Sequence, residues 1–237
     1  MPATVDIRRA DDRGASTTDW LQSRHSFSFA DYYDPANTHH GVLLVNNDDV
    51  VAPGAGFDTH PHRDMEIVTW VLSGRLAHRD SMGNSGVIYP GLAQRMSAGT
   101  GVQHAEMNGS DNEPVHFVQM WITPDTAGVT PSYQQHEIAL TNALTPIASG
   151  AVDAAVTLHN RHATLHGARL QPGDSVQLPA ARFVHLFVAR GAVTLEGAGA
   201  LAVGDAARLT SAAGQRVTAG TDTEILVWEM HASLTGA

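Results

Sequence analysis

The chain has 237 residues, 43% of them hydrophobic and 16% charged, with no apolar run long enough for a membrane helix, which is the composition of a water-soluble globular protein. Fourteen Lys and Arg against 24 Asp and Glu give a formal charge of -10, which opposes direct binding to a nucleic-acid backbone. The absence of cysteine excludes disulfides, thiolate metal sites and thiol nucleophiles, so a bound metal would have to be held by nitrogen and oxygen.

The first residues, MPATVDIRRADDRG, are polar and lack the apolar core of a secretory leader, so a cytoplasmic location is expected. Helical periodicity is scarce. Short β-rich runs bounded by Gly, Pro, Asn and Asp recur instead, the pattern of an all-β barrel or sandwich. In chain order, strands are predicted at Gly41–Val45, Ile67–Leu72, Phe117–Thr123 and Val184–Val188. Turns are predicted at Asn46-Asn47-Asp48-Asp49, Gly83-Asn84-Ser85-Gly86, Tyr89-Pro90-Gly91 and Pro172-Gly173-Asp174.

An internal repeat of more than 40 residues emerges when Gly74 is laid on Gly191. Apolar strands ending in glycine precede both, and Pro90–Met96 then matches Val203–Leu209 after a loop four residues shorter in the second copy. Two barrels of related build are implied, at residues 1–133 and 151–237, with a linker at 134–150. Carried through this repeat, His60 and His62 fall on Gln177 and Pro179, and His104 and Glu106 fall on Val217 and Ala219. The second barrel should therefore lack a metal site, and its His185 should be a packed or surface residue.

In the first copy, His60-Pro61-His62 is followed by Glu66 at the start of an apolar strand. Residues two apart on an extended chain share a face, so His60 and His62 can address one ion, and the parity extends on paper to Glu66. Forty residues on, Gly101-Val-Gln-His104-Ala-Glu106-Met-Asn108 supplies a third histidine and another carboxylate two residues later. Three imidazoles and one carboxylate suit one divalent ion with positions left open, Fe(II) being the first expectation and Ni, Co, Cu, Mn or Zn also compatible. Parity allows either Glu66 or Glu106 as the fourth ligand.

These two segments match the two motifs of the cupin superfamily, with Gly99 where proline is usual. Trp20-Leu21, His25-Ser-Phe-Ser-Phe29, Asp34-Pro35, His60–Glu66, His78 with Asp80–Asn84, Ser97–Glu106 and Gln119-Met-Trp121 resemble the pirins, particularly bacterial quercetinase-type members. The resemblance is dense from Asp19 to Glu137 and weaker beyond. It implies two tandem cupin barrels with metal in the first only, and ligands His60, His62, His104 and Glu106. Glu66 would then be a hydrogen-bond acceptor that orients an imidazole or receives Arg63.

The resemblance further implies quercetin 2,3-dioxygenase activity on a flavonoid-like substrate with O2 and release of carbon monoxide, Glu106 acting as the base. A pirin that instead regulates a transcription factor or metabolic enzyme by protein contact, or a cupin sugar isomerase, are the competing readings. A monomer is expected. Trp20, Phe27, Phe29, Trp70 and Trp121 read as barrel core, His25 and His78 as structural histidines, and Asn108 as a turn cap.

Overall fold

A computed structural model describes residues 3–234, and among these it contains 22 β-strands, a single 3-10 turn and no α-helix. The strands form two sheet pairs, each a seven-stranded sheet facing a four-stranded one. In the first pair, Gly56–His62, Val102–Asn108, Leu76–Asp80 and Ser85–Ile88 make the small sheet in that order. In the second, Ser175–Gln177, Arg216–Ala219, Ala192–Leu195 and Gly199–Ala202 repeat the order. The large sheets correspond equally, with Leu92–Ser97, Glu66–Ser73, Val115–Ile122 and Leu43–Val51 answering to Ala206–Thr210, Phe183–Arg190, Thr223–Met230 and Ala163–Leu170. The molecule is thus all-β, two tandem cupin barrels.

The glycines that aligned the repeat have one backbone role: Gly74 and Gly191 take φ of 80° and 75°, a conformation that side chains resist, where each long strand turns back. The ungapped alignment slips by one residue upstream, because Val176 and not Gln177 stands opposite Val217. Both valines are buried in an apolar core filling the second barrel with Leu178, Leu195 and Leu209, so the place of the histidines is taken by hydrocarbon.

Sheet membership crosses the boundaries drawn from sequence. Thr4–Arg8 pairs with Ala206–Thr210 of the second barrel. Ser132–Glu137 pairs with Leu92–Ser97 of the first, and Thr145–Ser149, inside the expected linker, pairs with Ala163–Leu170 of the second. Each added strand covers an edge that would otherwise leave backbone groups unpaired. The large sheets pack back to back through Phe27, Trp70, Val118 and Met120 on one side and Leu165, Phe187, Leu226 and Trp228 on the other. Trp70 donates its indole N–H to Glu224 across this seam at 2.7 Å. His185 is packed here, fully buried, 5.9 Å ring to ring from Phe27.

The predicted strands at 67–72 and 184–188 lie within observed ones, that at 117–123 runs one residue past Ile122, that at 41–45 begins two residues before the observed start at Leu43, and the turns at 83–86, 89–91 and 172–174 lie at chain reversals. One turn prediction fails outright. Asn46-Asn47-Asp48-Asp49, read as a turn, runs through the middle of the strand Leu43–Val51. Three of its four side chains, those of Asn46, Asn47 and Asp49, are buried, and that of Asp48 is half-buried. Asn46 faces the seam, where it bonds Ser26, and Asp48 accepts His116, whereas Asn47 and Asp49 are buried in the first barrel.

Candidate metal centre

The small sheet of the first barrel brings together His60 and His104, which are 44 residues apart in sequence. Antiparallel register sets His60 directly opposite His104, and a bulge between His104 and Glu106 then places Glu106 opposite Phe57. Gly56 makes this bulge possible: a Cβ there would lie 2.3 Å from the Glu106 carbonyl oxygen. On the other side of the same strand, Glu106 pairs with His78 and His104 with Asp80.

Ligand atoms of His60, His62 and His104 all lie within 4.8 Å of one another, and those of His78, His104 and Glu106 form a second, overlapping group. His60 Nδ1–H donates to the Asp58 carbonyl at 2.7 Å, which leaves its Nε2 as a lone pair. That Nε2 is 3.0 Å from His104 Nε2. His62 Nε2 and Glu106 Oε1 are buried without any partner. Converging, unshared lone pairs of this kind repel unless a cation stands among them. Two nitrogens each about 2.1 Å from one ion, at a right angle, are themselves about 3.0 Å apart, so the observed spacing fits a metal of ordinary coordination geometry.

The electrostatics agree. Burial, reinforced by the neighbouring imidazoles, pushes His62 down to about 4 and His104 down to about 3, so both rings are neutral donors at physiological pH. Burial pushes the Glu106 carboxyl up, against the Gln119 hydrogen bond that favours its charged form. Gln119 Nε2 donates to Glu106 Oε2 at 2.6 Å, and the Gln119 amide oxygen accepts Trp121 Nε1 at 3.0 Å. Trp121 also packs edge-on against His62, with ring centroids 4.8 Å apart.

Glu66 lies elsewhere. Asp64 takes a φ of 50°, which ends the strand Gly56–His62 before a new strand begins at Glu66 and resets the alternation of faces. Glu66 then shares parity with Val68, Trp70 and Leu72, which pack in the seam between barrels. It accepts Ser97 Oγ at 2.9 Å and the backbone N–H of His159 at 3.0 Å, and the imidazole beside it is that of His159, not of His60, His62 or His104.

A cavity of about 370 Å³ opens on His60 and Glu106, walled by Leu21, Phe29, Phe57 and Trp121 and by the polar side chains of the large sheet. Phe29 and Trp121, expected as core, are therefore cavity walls, whereas Phe27 and Trp70 belong to the seam core and Trp20 packs edge-on against Phe57. His25 also lines the cavity, but Asn47 Oδ1 at 2.9 Å and Ser16 Oγ at 2.8 Å occupy both its nitrogens. His78 is buried outside it, stacked on Tyr133 with its Nε2 against Asp80 at 3.2 Å. Asn108 caps the following turn, donating to the Val51, Ala52 and Glu113 carbonyls and accepting Ser110 N–H.

The pirin family model matches residues 7–122, and a model described as the quercetinase C-terminal cupin domain matches residues 147–230. The chain belongs to the pirin family. A Mycobacterium tuberculosis protein provisionally named a quercetin 2,3-dioxygenase is 66% identical over 239 residues, spanning 99% of this chain and 98% of that one. The quercetin 2,3-dioxygenase of Escherichia coli K12 is 39% identical, spanning 94% and 97%. The crystal structure of the E. coli pirin YhhW in complex with nickel(II) superposes with a TM-score of 0.90 at 37% identity, covering 97% of this chain and all of that one. A pirin with a divalent metal is thus among the solved structures that this chain resembles.

Of the four residues that the sequence reading joined, the structure gathers His60, His62 and His104 in one group and places Glu106 in the overlapping group with His78 and His104. Sequence reasoning missed Asn47 and Asp49, because a run of four polar residues carries the signal of a turn, and it missed the Gln119 contact with Glu106, because nothing local marks the partner of a buried amide.

Proposed function

We propose that this pirin is a metal-dependent dioxygenase that cleaves a flavonol such as quercetin with O2 and release of carbon monoxide. The observation that carries this reading is the cluster of unpartnered imidazole and carboxylate lone pairs opening on a partly aromatic cavity large enough for a ring system. His60, His62 and His104 would hold one divalent ion, with Glu106 as the fourth ligand and Fe(II) as the first candidate. Such an ion supplies a Lewis acid that acidifies the flavonol hydroxyl and a route for electrons to dioxygen.

The rest falls to the protein. Gln119 anchors Glu106 through Oε2, which would be the oxygen that accepts the hydroxyl proton of the substrate, while the unpartnered Oε1 would be the metal ligand. Phe29, Phe57 and Trp121 provide apolar faces against which a flavonol can stack and from which water is displaced. The relatives named as quercetin 2,3-dioxygenases support the same substrate class.

The test is to load the purified protein anaerobically with Fe(II), Ni, Co, Cu or Mn, add quercetin, admit oxygen, and follow oxygen uptake and carbon monoxide release. Turnover with at least one metal is expected. No oxygen consumption with any of them would overturn the assignment.

A further inference from the structure

The cavity has a second feature that the metal centre does not use. Its buried polar lining consists of Ser23, His25, Asn47, Asp49, Glu106 and Gln119. Asn47 is committed to His25, Gln119 to Glu106 and Trp121, and Ser23 to His25 and the Asp49 carboxyl. Two oxygens in this set have no partner at all: Glu106 Oε1, which belongs to the metal cluster, and Asp49 Oδ1. A buried carboxyl oxygen without a protein donor, on a side chain that lines a cavity, is a group that a bound water or ligand can satisfy.

Register shows where that partner would be. On the large sheet, Val45, Asn47 and Asp49 stand opposite Trp121, Gln119 and Phe117. Gln119 is at the level of Glu106, to which it is bonded, and Trp121 is at the level of His62, against which it packs. Asp49 is one level further on, next to the apolar plug of Leu21, Val51, Val115 and Phe117 with Phe57 beside it. The other end of the cavity carries Phe29 and the exposed Asp31. Asp49 therefore lies beside this plug, one level past the residues that meet Glu106 and His62 and away from Phe29 and Asp31.

We propose that Asp49 is a specificity residue that receives a hydroxyl of the substrate distinct from the one directed at the metal, so that the site selects polyhydroxylated aromatic substrates over those bearing only the chelating pair of oxygens. This rests on the dioxygenase reading. A site built to bond a hydroxyl rejects the analogue that lacks it, because the buried oxygen is then left unpaired.

The experiment is anaerobic equilibrium binding of quercetin and of 3-hydroxyflavone, which keeps only the chelating oxygens, to metal-loaded wild type, Asp49→Asn and Asp49→Ala, with metal content measured for each. At about pH 8, above the value of about 7 to which burial raises the Asp49 carboxyl, Asp49→Ala is expected to weaken quercetin binding roughly ten- to a hundredfold, the range for a hydrogen bond to a charged group, and to leave 3-hydroxyflavone nearly unchanged. Asp49→Asn should move the same ratio less, and it decides the matter if the alanine variant does not fold or does not load metal. Equal weakening of both flavonols, or of neither, would overturn the inference while leaving the dioxygenase reading intact if wild type still turns over. A wild type that binds no flavonol would overturn both.

Discussion

Gln119 Nε2 lies 2.6 Å from Glu106 Oε2, a hydrogen bond that joins the large and small sheets of the first barrel at the metal cluster. It holds the proposed fourth ligand from the opposite wall. Replacing Gln119 by Leu removes this donor and leaves a second buried carboxylate oxygen unpaired. Metal affinity should fall about 10- to 100-fold, the usual cost of losing a partner behind a ligand, as measured by competition with a chromophoric chelator. Unchanged affinity would separate Gln119 from the centre.

The two glutamates make opposite predictions. His104→Ala should abolish metal binding and quercetin turnover. Glu66→Ala should lose about 1–3 kcal/mol of stability, because Ser97 and the His159 amide lose their buried acceptor, yet retain the metal when folded. A folded Glu66→Ala protein without metal would transfer the fourth-ligand role from Glu106 to Glu66.

Gly56→Ala tests the bulge. The added Cβ would meet the Glu106 carbonyl oxygen at 2.3 Å and the Met107 Cα at 2.6 Å, both backbone atoms that cannot yield cheaply. A loss of about 1–3 kcal/mol is expected from overpacking. Because the strain falls on the strand that carries His104 and Glu106, metal affinity should drop along with the thermal midpoint.

Acid should destabilise the metal-free protein. Burial holds His40 and His62 down to about 4, His104 to about 3, and His185 well below its ordinary value. Unfolded histidines titrate near 6.5, so below that pH the unfolded chain takes up protons that the folded chain refuses. The stability these groups confer is complete above pH 6.5 and is lost between 6.5 and about 4, at up to about 1.4 kcal/mol per pH unit for each group. Asp49, pushed up to about 7 by burial, and Glu106, also pushed up, act in the other direction. With His25 also held down by burial, five histidines against these two carboxyls leave a net loss. Urea midpoints of metal-free protein should therefore fall from pH 7 to pH 4.5, and divalent metal at pH 7 should raise them.

Much of the site was legible because its signals are local. Two histidines at alternate positions share a face by the geometry of an extended chain, and the glycines at 74 and 191 mark one backbone turn used twice. Glu66 was ambiguous because parity holds only while a strand is continuous, and the left-handed Asp64 breaks it. Asn46–Asp49 misled because polarity in sequence reads as exposure to water. In the fold, each of those side chains instead faces either the seam or the cavity.

By itself, then, the sequence determined an all-β duplicated architecture, a first copy that carries candidate metal ligands and an apolar second one, since strand alternation, turn residues and ligand types are properties of short segments. Tertiary structure alone decided that Glu66 faces the seam between barrels, that Gln119 reaches Glu106, and that one oxygen of Asp49 is left without a protein partner in the cavity wall. These are pairings between strands distant along the chain, and their register is set by packing across sheets, which no local pattern records.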